Sequence, residues 1–412
     1  VGTYSSGTDR PSCEENLNEL ERLCETFGLD PVLKMPCSLK KIEAATFLGT
    51  GKLEEIVKES EALEVDLIVF DDEISPHQQR NLEEIFKKPV IDRTELIIEV
   101  FAQRAQTKEA RLQVELAKVK YQFPRLKRLW THLSRQRTGG GGGGYLKGEG
   151  EKQIEIDRRL LRRRVEQLEK EIEVVRSQRE IQRSARLRSG IPTFAIVGYT
   201  NAGKSTLLKA LTKAEVFVED KLFATLDTTT RKFMLPNRQE ILLIDTVGFI
   251  RKIPHTLVAA FKSTLEEAVH TDILLHLIDV SHPMAEQQAE ATYQVLKELN
   301  ALDHPVITVL NKVDVCPNTQ ILHRLRIKYP KTVQISALKE IGFDELMEMM
   351  MQELSRLRKT FKLRIPQSHY ALVSELMREG RVISCDYEGN DILMHVEIPR
   401  QIEYKVHPFQ FG

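Results

Sequence analysis

No run of about 18 apolar residues occurs anywhere in the 412 residues, so no membrane-spanning helix is readable. No basic-then-apolar leader is present, and nothing reads as a secretory signal. The sequence opens on Val1-Gly2-Thr3-Tyr4, as a chain cut within a first strand would, which leaves a preceding segment open. Cysteines are scarce and scattered: Cys13, Cys24, Cys37, Cys316 and Cys385 are odd in number and form no CxxC pair. Reduced thiols in a cytoplasmic setting are expected, rather than disulfides or a zinc site. Net charge is also lacking, since 60 Lys/Arg meet 60 Asp/Glu.

That balance hides an asymmetry. From Lys120 to Arg188 there are 19 Lys/Arg against 9 Asp/Glu, a net of +10. A basic middle segment is an electrostatic footprint for a polyanion, although a solvated helix surface has the same composition.

The length implies several domains, and an α/β multidomain chain is expected. Residues 1–100 read as an N-terminal α/β domain with a parallel sheet. Leu17, Leu20, Leu23 and Cys24 share one helical face, Val65 to Phe70 is a short apolar run ending in Asp71-Asp72, and Lys88 to Asp92 is a weaker second example. From Thr94 the period turns helical, with Ala105, Leu112, Leu116, Val119 and Phe123 in one stripe. Leu161, Val165, Leu168, Ile172 and Val175 form a second. Residues 101–190 are therefore expected to form a long antiparallel helical hairpin, its tip a glycine-rich loop over 138–152. Six consecutive glycines, Gly139 to Gly144, cannot hold one conformation unaided, because each loses much backbone entropy on ordering. A bare linker would not need Arg135, Arg137, Lys147, Lys152 and Tyr145 around it. A domain boundary is read at Gly190-Ile191-Pro192 and another near 358, so that 359–412 form a small C-terminal α+β domain.

The segment 191–358 carries the chemistry. The strand Phe194-Ala-Ile-Val197 runs into Gly198-Tyr199-Thr200-Asn201-Ala202-Gly203-Lys204-Ser205, a full GxxxxGKS phosphate loop followed by Thr206. Its glycines let backbone amides curl round phosphates, Lys204 reaches the β and γ oxygens, and the Ser205 hydroxyl suits Mg²⁺. The helix that opens here adds its positive dipole end. Ile241 to Ile244 is a strand ending in Asp245-Thr-Val-Gly248, a DxxG that senses Mg²⁺ through water at Asp245 and the γ-phosphate at Gly248. Val306 to Leu310 ends in Asn311-Lys312-Val313-Asp314, and Val333-Gln-Ile335 leads into Ser336-Ala337-Leu338. Strand ends are where open parallel sheets place ligands.

NKxD selects the base. The Asp314 carboxylate can accept from guanine N1–H and from its amino group, whereas adenine would leave it unpaired. Sites of that kind discriminate by about 10⁴-fold or more. Asn311 is expected at guanine's other edge, Lys312 over the base, and the Ala337 amide at the carbonyl oxygen. Between the loop and DxxG, four threonines (Thr225, Thr228, Thr229, Thr230) are candidates to join Ser205 on Mg²⁺ as the first switch. Ras-like enzymes place a water-orienting glutamine directly after DxxG. Phe249 stands there instead, so slow intrinsic hydrolysis, stimulated by a macromolecular partner, is expected.

The loop GYTNAGKS, the switch Phe223-Ala-Thr225-Leu-Asp, DTVGF and Ile250 to His255 together resemble an HflX-type GTPase. Phe47 to Glu55, Ser75 to Glu83 and Phe123 to Leu126 are similar to that family's amino-terminal domain, and Lys147 to Arg159 resembles its RGPGETQLExDRR signature. Lys147, Glu149 and Lys152 depart from it, exchanging arginine, proline and threonine. The resemblance covers 1–350 and implies a Ras-like P-loop domain with a mainly parallel sheet. It also implies Mg²⁺ as cofactor, GTP as substrate, Thr225 as the Mg²⁺ threonine with Thr230 as fallback, and Phe223 and Thr225 at the nucleotide. Lys204, Thr225, Gly248 and Phe249 become the catalytic positions. The family associates with the large ribosomal subunit and its rRNA near the peptidyl transferase centre, and is implicated in splitting or rescuing stalled ribosomes under stress. A monomer, cytoplasmic and partly ribosome-associated, follows. Arg125, Lys127, Arg128, Arg135, Arg137, Lys147, Arg158 and Arg159 are the residues expected on RNA. Competing readings are a nucleic-acid-remodelling NTPase, against which NKVD speaks, and a ribosome-assembly GTPase or scaffold on which GTP is structural.

Overall fold

The computed structural model describes residues 1–125, 147–188, 191–213, 222–223, 226, 228–252, 269–399 and 402–411. The chain falls into two compact units: Val1–Glu173 with Asp220–Asp227 and Lys252–Lys262, and Val174–Glu219 with Thr228–Arg251 and Ser263–Gly412.

The first unit has two parallel strand pairs. Strand β1 (Gly2–Tyr4) pairs with β2 (Pro36–Ser38), and β3 (Ile68–Phe70) with β4 (Val90–Asp92). The Asp71 amide donates to the Val1 carbonyl at 2.8 Å, joining the two pairs. Around them lie α1 (Arg10–Phe27), α2 (Thr50–Ala62), α3 (Pro76–Phe86), α4 (Arg93–Arg104) and α5 (Lys108–Gln122). The expected α1 stripe is buried, with Cys13 added one turn earlier. Phe70, Leu82, Phe86 and Val90 share a core with Phe47, Leu48 and Ile56.

Local signals explain where these helices start. Ser75 accepts from the Gln78 amide while Gln78 reaches back to Ser75, a complete capping box for α3. The Asp92 and Thr107 side chains cap α4 and α5. The helical period after Thr94 is therefore interrupted: α4 stops at Arg104 and Thr107 starts a new helix.

Helix α6 runs from Lys147 to Arg188, so helix begins inside the segment read as a glycine-rich loop. Ion pairs Glu115–Arg164 (2.6 Å) and Lys120–Glu169 (2.8 Å) tie it to α5. Leu168 is fully buried, as its stripe requires. Gly139 to Gly144 lie outside the described residues.

The second unit is built on a six-stranded sheet in the order β10-β9-β8-β5-β7-β6. Its strands are β5 (Thr193–Gly198), β6 (Thr229–Met234), β7 (Glu240–Asp245), β8 (Ile273–Asp279), β9 (Val306–Asn311) and β10 (Thr332–Gln334). Every pairing is parallel except β6 with β7. β5 and β9 read as continuous apolar runs because both sheet faces are covered. Helices α7 (Lys204–Thr212), α8 (Ala285–Glu298), α9 (Thr319–Lys328) and α10 (Phe343–Leu357) accompany it. A small α+β end follows: β11 (Arg358–Pro366), α11 (Tyr370–Glu379), β12 (Arg381–Glu388) and β13 (Asp391–Pro399), antiparallel in the order β11-β13-β12. Phe361, Leu363, Val373, Leu376, Met394 and Val396 form its own core. Among the described residues no helix is long and apolar enough to cross a membrane.

Candidate nucleotide site

Gly198, Asp245, Asp279 and Asn311 end β5, β7, β8 and β9, so the parallel strands deliver four polar or phosphate-facing positions to one edge of the sheet. Between β5 and α7 the loop Tyr199 to Gly203 turns with Asn201 at φ 60° and Gly203 at φ 94°. A Cβ at Gly203 would stand 2.3 Å from Asn311 Nδ2, so only glycine permits that side chain to reach across. Asn311 Nδ2 donates to the Ala202 carbonyl at 2.8 Å, and its Oδ1 accepts from the Ala337 amide at 2.9 Å. One side chain thus ties the phosphate loop to the Ser336-Ala337-Leu338 turn.

Lys204 is buried, and its Nζ donates to the carbonyls of Gly198 (3.2 Å) and Tyr199 (2.8 Å). Burial lowers its pKa to about 8, with the Asp245 carboxylate pulling the other way. A polyphosphate arriving here supplies the countercharge this ammonium needs. The Ser205 hydroxyl donates to Asp245 Oδ2 at 2.7 Å, so hydroxyl and carboxylate stand side by side. Among the described residues no group of three or more His, Cys, Asp or Glu could hold a metal. Mg²⁺ needs none, because it takes one or two protein oxygens and leaves the rest of its octahedron to phosphate and water. The pair fits that ion.

The DxxG segment closes on the loop. Phe249 donates its N–H to the Gly198 carbonyl at 3.0 Å and accepts from the Thr200 amide at 2.6 Å. A Cβ on Gly248 would lie 2.8 Å from both Lys204 Nζ and Thr200 Cα, which is why glycine is needed. The Phe249 ring is 2 % exposed and packs inward, unable to address water. Tyr199 Oη accepts from the Arg251 amide at 2.7 Å, a further tie between loop and switch.

At the base end, the Ser336 hydroxyl and then Lys339, 3.2 Å from Oδ2, hold the Asp314 carboxyl below the usual carboxylate range. It is ionised at neutral pH, as acceptance from two guanine donors requires. Lys312, expected over the base, pairs with Asp279 at 2.7 Å, and the Ala337 amide, expected at the carbonyl oxygen, is on Asn311. Leu338 is exposed. Asp279 and Lys339 were not read from sequence. The run Ile273 to Asp279, apolar but for His276 and ending in a carboxylate as β7 does, was the available signal for the first.

Thr225 lies outside the described residues. Thr228 Oγ1 accepts from Arg179 at 3.5 Å, while Thr230 sits in β6 opposite Ile244. Phe223, expected at the nucleotide, belongs to the first unit: it is buried edge-on against Phe101, ring centroids 4.5 Å apart, and the neighbouring Leu222 amide donates to Thr26 Oγ1. Aromatic burial outweighs a polar role there. In the same unit Lys252 pairs with Asp71 (2.5 Å) and Asp72 (2.8 Å), and Arg93 joins Asp71 to Glu19.

Arg125 corrects the list of RNA residues. It is buried, with bonds to the Ile74 carbonyl (2.7 Å), Gln79, the Tyr121 carbonyl and Asp92, and its guanidinium lies 3.7 Å from the Tyr121 ring centroid. Those donors are consumed inside the first unit. Arg158 and Arg159 are exposed on α6. Lys127, Arg128, Arg135 and Arg137 lie outside the described residues, as does the Lys147 side chain.

Three family models match the chain. Residues 14–102 match one described as GTP-binding GTPase N-terminal, 104–186 the GTP-binding GTPase Middle Region, and 193–312 a 50S ribosome-binding GTPase. A GTPase HflX of Chlamydia pneumoniae is 47 % identical over 410 residues, covering 99 % of this chain and 87 % of the relative. Those of Lacrimispora saccharolytica and Escherichia coli are 44 % and 42 % identical, over 96 % and 91 % of this chain and 92 % and 85 % of theirs.

Proposed function

The chain belongs to the HflX family of GTPases, and from that membership we propose a cycle in which its GTP-bound form docks on the large ribosomal subunit and hydrolysis releases it. The reaction is hydrolysis of GTP to GDP and phosphate. Within it Asp314 chooses guanine, Asn311 locks base turn and phosphate loop together, and Lys204 neutralises the phosphate tail. Ser205 and Asp245, with Thr225 on this reading, would hold Mg²⁺, which when bound would offset phosphate charge.

The observation that carries the cycle is Phe249. Its ring is buried and its backbone is zipped onto the phosphate loop, so the position that orients water in Ras-like enzymes contributes no hydrogen bond from its side chain. Hydrolysis is accordingly slow in the free protein and waits for a partner. Support for a ribosomal partner comes from the description of the family model over 193–312 and from the basic Lys120–Arg188 segment, where Arg158 and Arg159 are exposed. RNA helices are met through shape and phosphate, which suits arginines on a long helix. On this reading the docked protein lies near the peptidyl transferase centre, and stalled ribosomes under stress are the substrate that is split or rescued.

Sedimentation with isolated subunits tests this. Binding to the large subunit should be strong with a non-hydrolysable GTP analogue, weak with GDP, and reduced by salt. Equal binding in both nucleotide states, or fast turnover without ribosomes, would remove the basis of the cycle.

A further inference from the structure

The phosphate loop contains one polar side-chain atom that its surroundings do not use. Thr200 is 6 % exposed, and its Oγ1 is buried with no hydrogen-bond partner among the described residues. Its backbone, by contrast, is engaged through the N–H to the Phe249 carbonyl. A buried hydroxyl without a hydrogen bond keeps its desolvation cost, and valine, of the same shape, would avoid it. A threonine here therefore answers to something that arrives.

Its neighbours indicate what arrives. A Cβ erected on Gly248 would meet Lys204 Nζ at 2.8 Å, Thr200 Cα at 2.8 Å and Thr200 Cβ at 3.1 Å. The threonine side chain, the phosphate-binding ammonium and the switch glycine thus converge on one small volume. Lys204 and Gly248 are the two groups there that address the terminal phosphate of a triphosphate. Phosphate oxygens only accept, and a hydroxyl with a free proton donates. Phe249 leaves room for this: its ring is turned into the core, so no side chain from that position competes beside Gly248.

We propose that the Thr200 hydroxyl donates to the γ-phosphate and, beside Lys204 and Gly248, helps this site tell GTP from GDP, over and above its place in the loop. The inference rests on the GTPase reading above. It assigns the hydroxyl, distinct from the backbone cradle that grips both nucleotides alike, a contact that exists only when a third phosphate is present.

Thr200→Val, Thr200→Ala and Thr200→Ser separate the possibilities, with fluorescent GTP-analogue and GDP affinities measured on the full chain with Mg²⁺. Valine and alanine should weaken triphosphate binding about tenfold while GDP affinity stays unchanged, the loss expected for one hydrogen bond to a charged acceptor. Serine should restore the triphosphate preference. An unaltered ratio of the two affinities in both valine and alanine variants overturns the inference. So does an equal fall for both nucleotides, which marks a structural role. If the unsubstituted chain fails to prefer guanosine nucleotides over adenosine ones, the GTPase reading itself has failed instead.

Discussion

Replacing Asp314 by asparagine puts an N–H where guanine's own donors must be accepted. GTP affinity is expected to fall by about 10²–10⁴-fold, while a base with a carbonyl in place of the amino group, xanthine, is accepted. Competition between labelled GTP and xanthosine triphosphate checks both halves, and undiminished GTP binding would remove Asp314 from base selection. His276 carries a different prediction. Its ring lies in the buried face of β8 beside Tyr293 (5.0 Å) and Tyr329 (6.2 Å), both nitrogens without a hydrogen-bond partner among the described residues. Burial alone drops its pKa from 6.5 to about 3. As pH falls below 6.5 the unfolded chain takes up this proton and the folded chain does not, so stability present above 6.5 is lost progressively towards 3. The loss approaches about 1.4 kcal/mol per pH unit, and His276→Leu should flatten the denaturant midpoint between pH 6.5 and 5 by that contribution. A parallel pair of curves would refute it. At this scale the sequence shows the chemistry of a side chain but not its company. The GxxxxGKS and NKxD residues were legible because their spacing encodes their roles. The pairing of Lys312 with Asp279 was not, because an ion pair between the ends of neighbouring strands has no fixed spacing along the chain.

Among whole elements, helix α1 and strands β3, β5, β7 and β9 stood out as apolar periods or runs bounded by polar ends. The break between α4 and α5 was hidden because Ala105 keeps the stripe in register while Thr107, not the apolar pattern, starts the new helix. Arg125 shows the converse: a basic residue after α5 looked available for RNA, yet it spans from Ile74 to Asp92. Arg125→Ala should therefore cost about 3–5 kcal/mol of stability in the first unit, as removal of one partner from a buried ion pair does. A lowered melting temperature with ordinary folding of the GTPase sheet is the expected result. An unchanged melting temperature with weakened ribosome binding would return Arg125 to the surface role.

For the molecule as a whole, linear order and spatial grouping part company at the two switch regions. Residues 191–358 looked like a self-sufficient domain, bounded by Gly190-Ile191-Pro192, but Asp220–Asp227 and Lys252–Lys262 group with the amino-terminal unit. Composition could not reveal this, since Phe223 reads equally well as a nucleotide contact or a core residue. Burying such a ring contributes about 1.5–3 kcal/mol. It follows that a cut at position 190 yields no clean pair of products. The downstream piece would carry Leu222, Phe223 and Leu226 away from their shelter and present them to solvent as a sticky flap. A 191–412 fragment should bind a hydrophobic dye more strongly than the full chain does, and Phe223→Ser should restore its solubility. Loss of nucleotide affinity in such a fragment would then report an orphaned loop, not a damaged phosphate cradle.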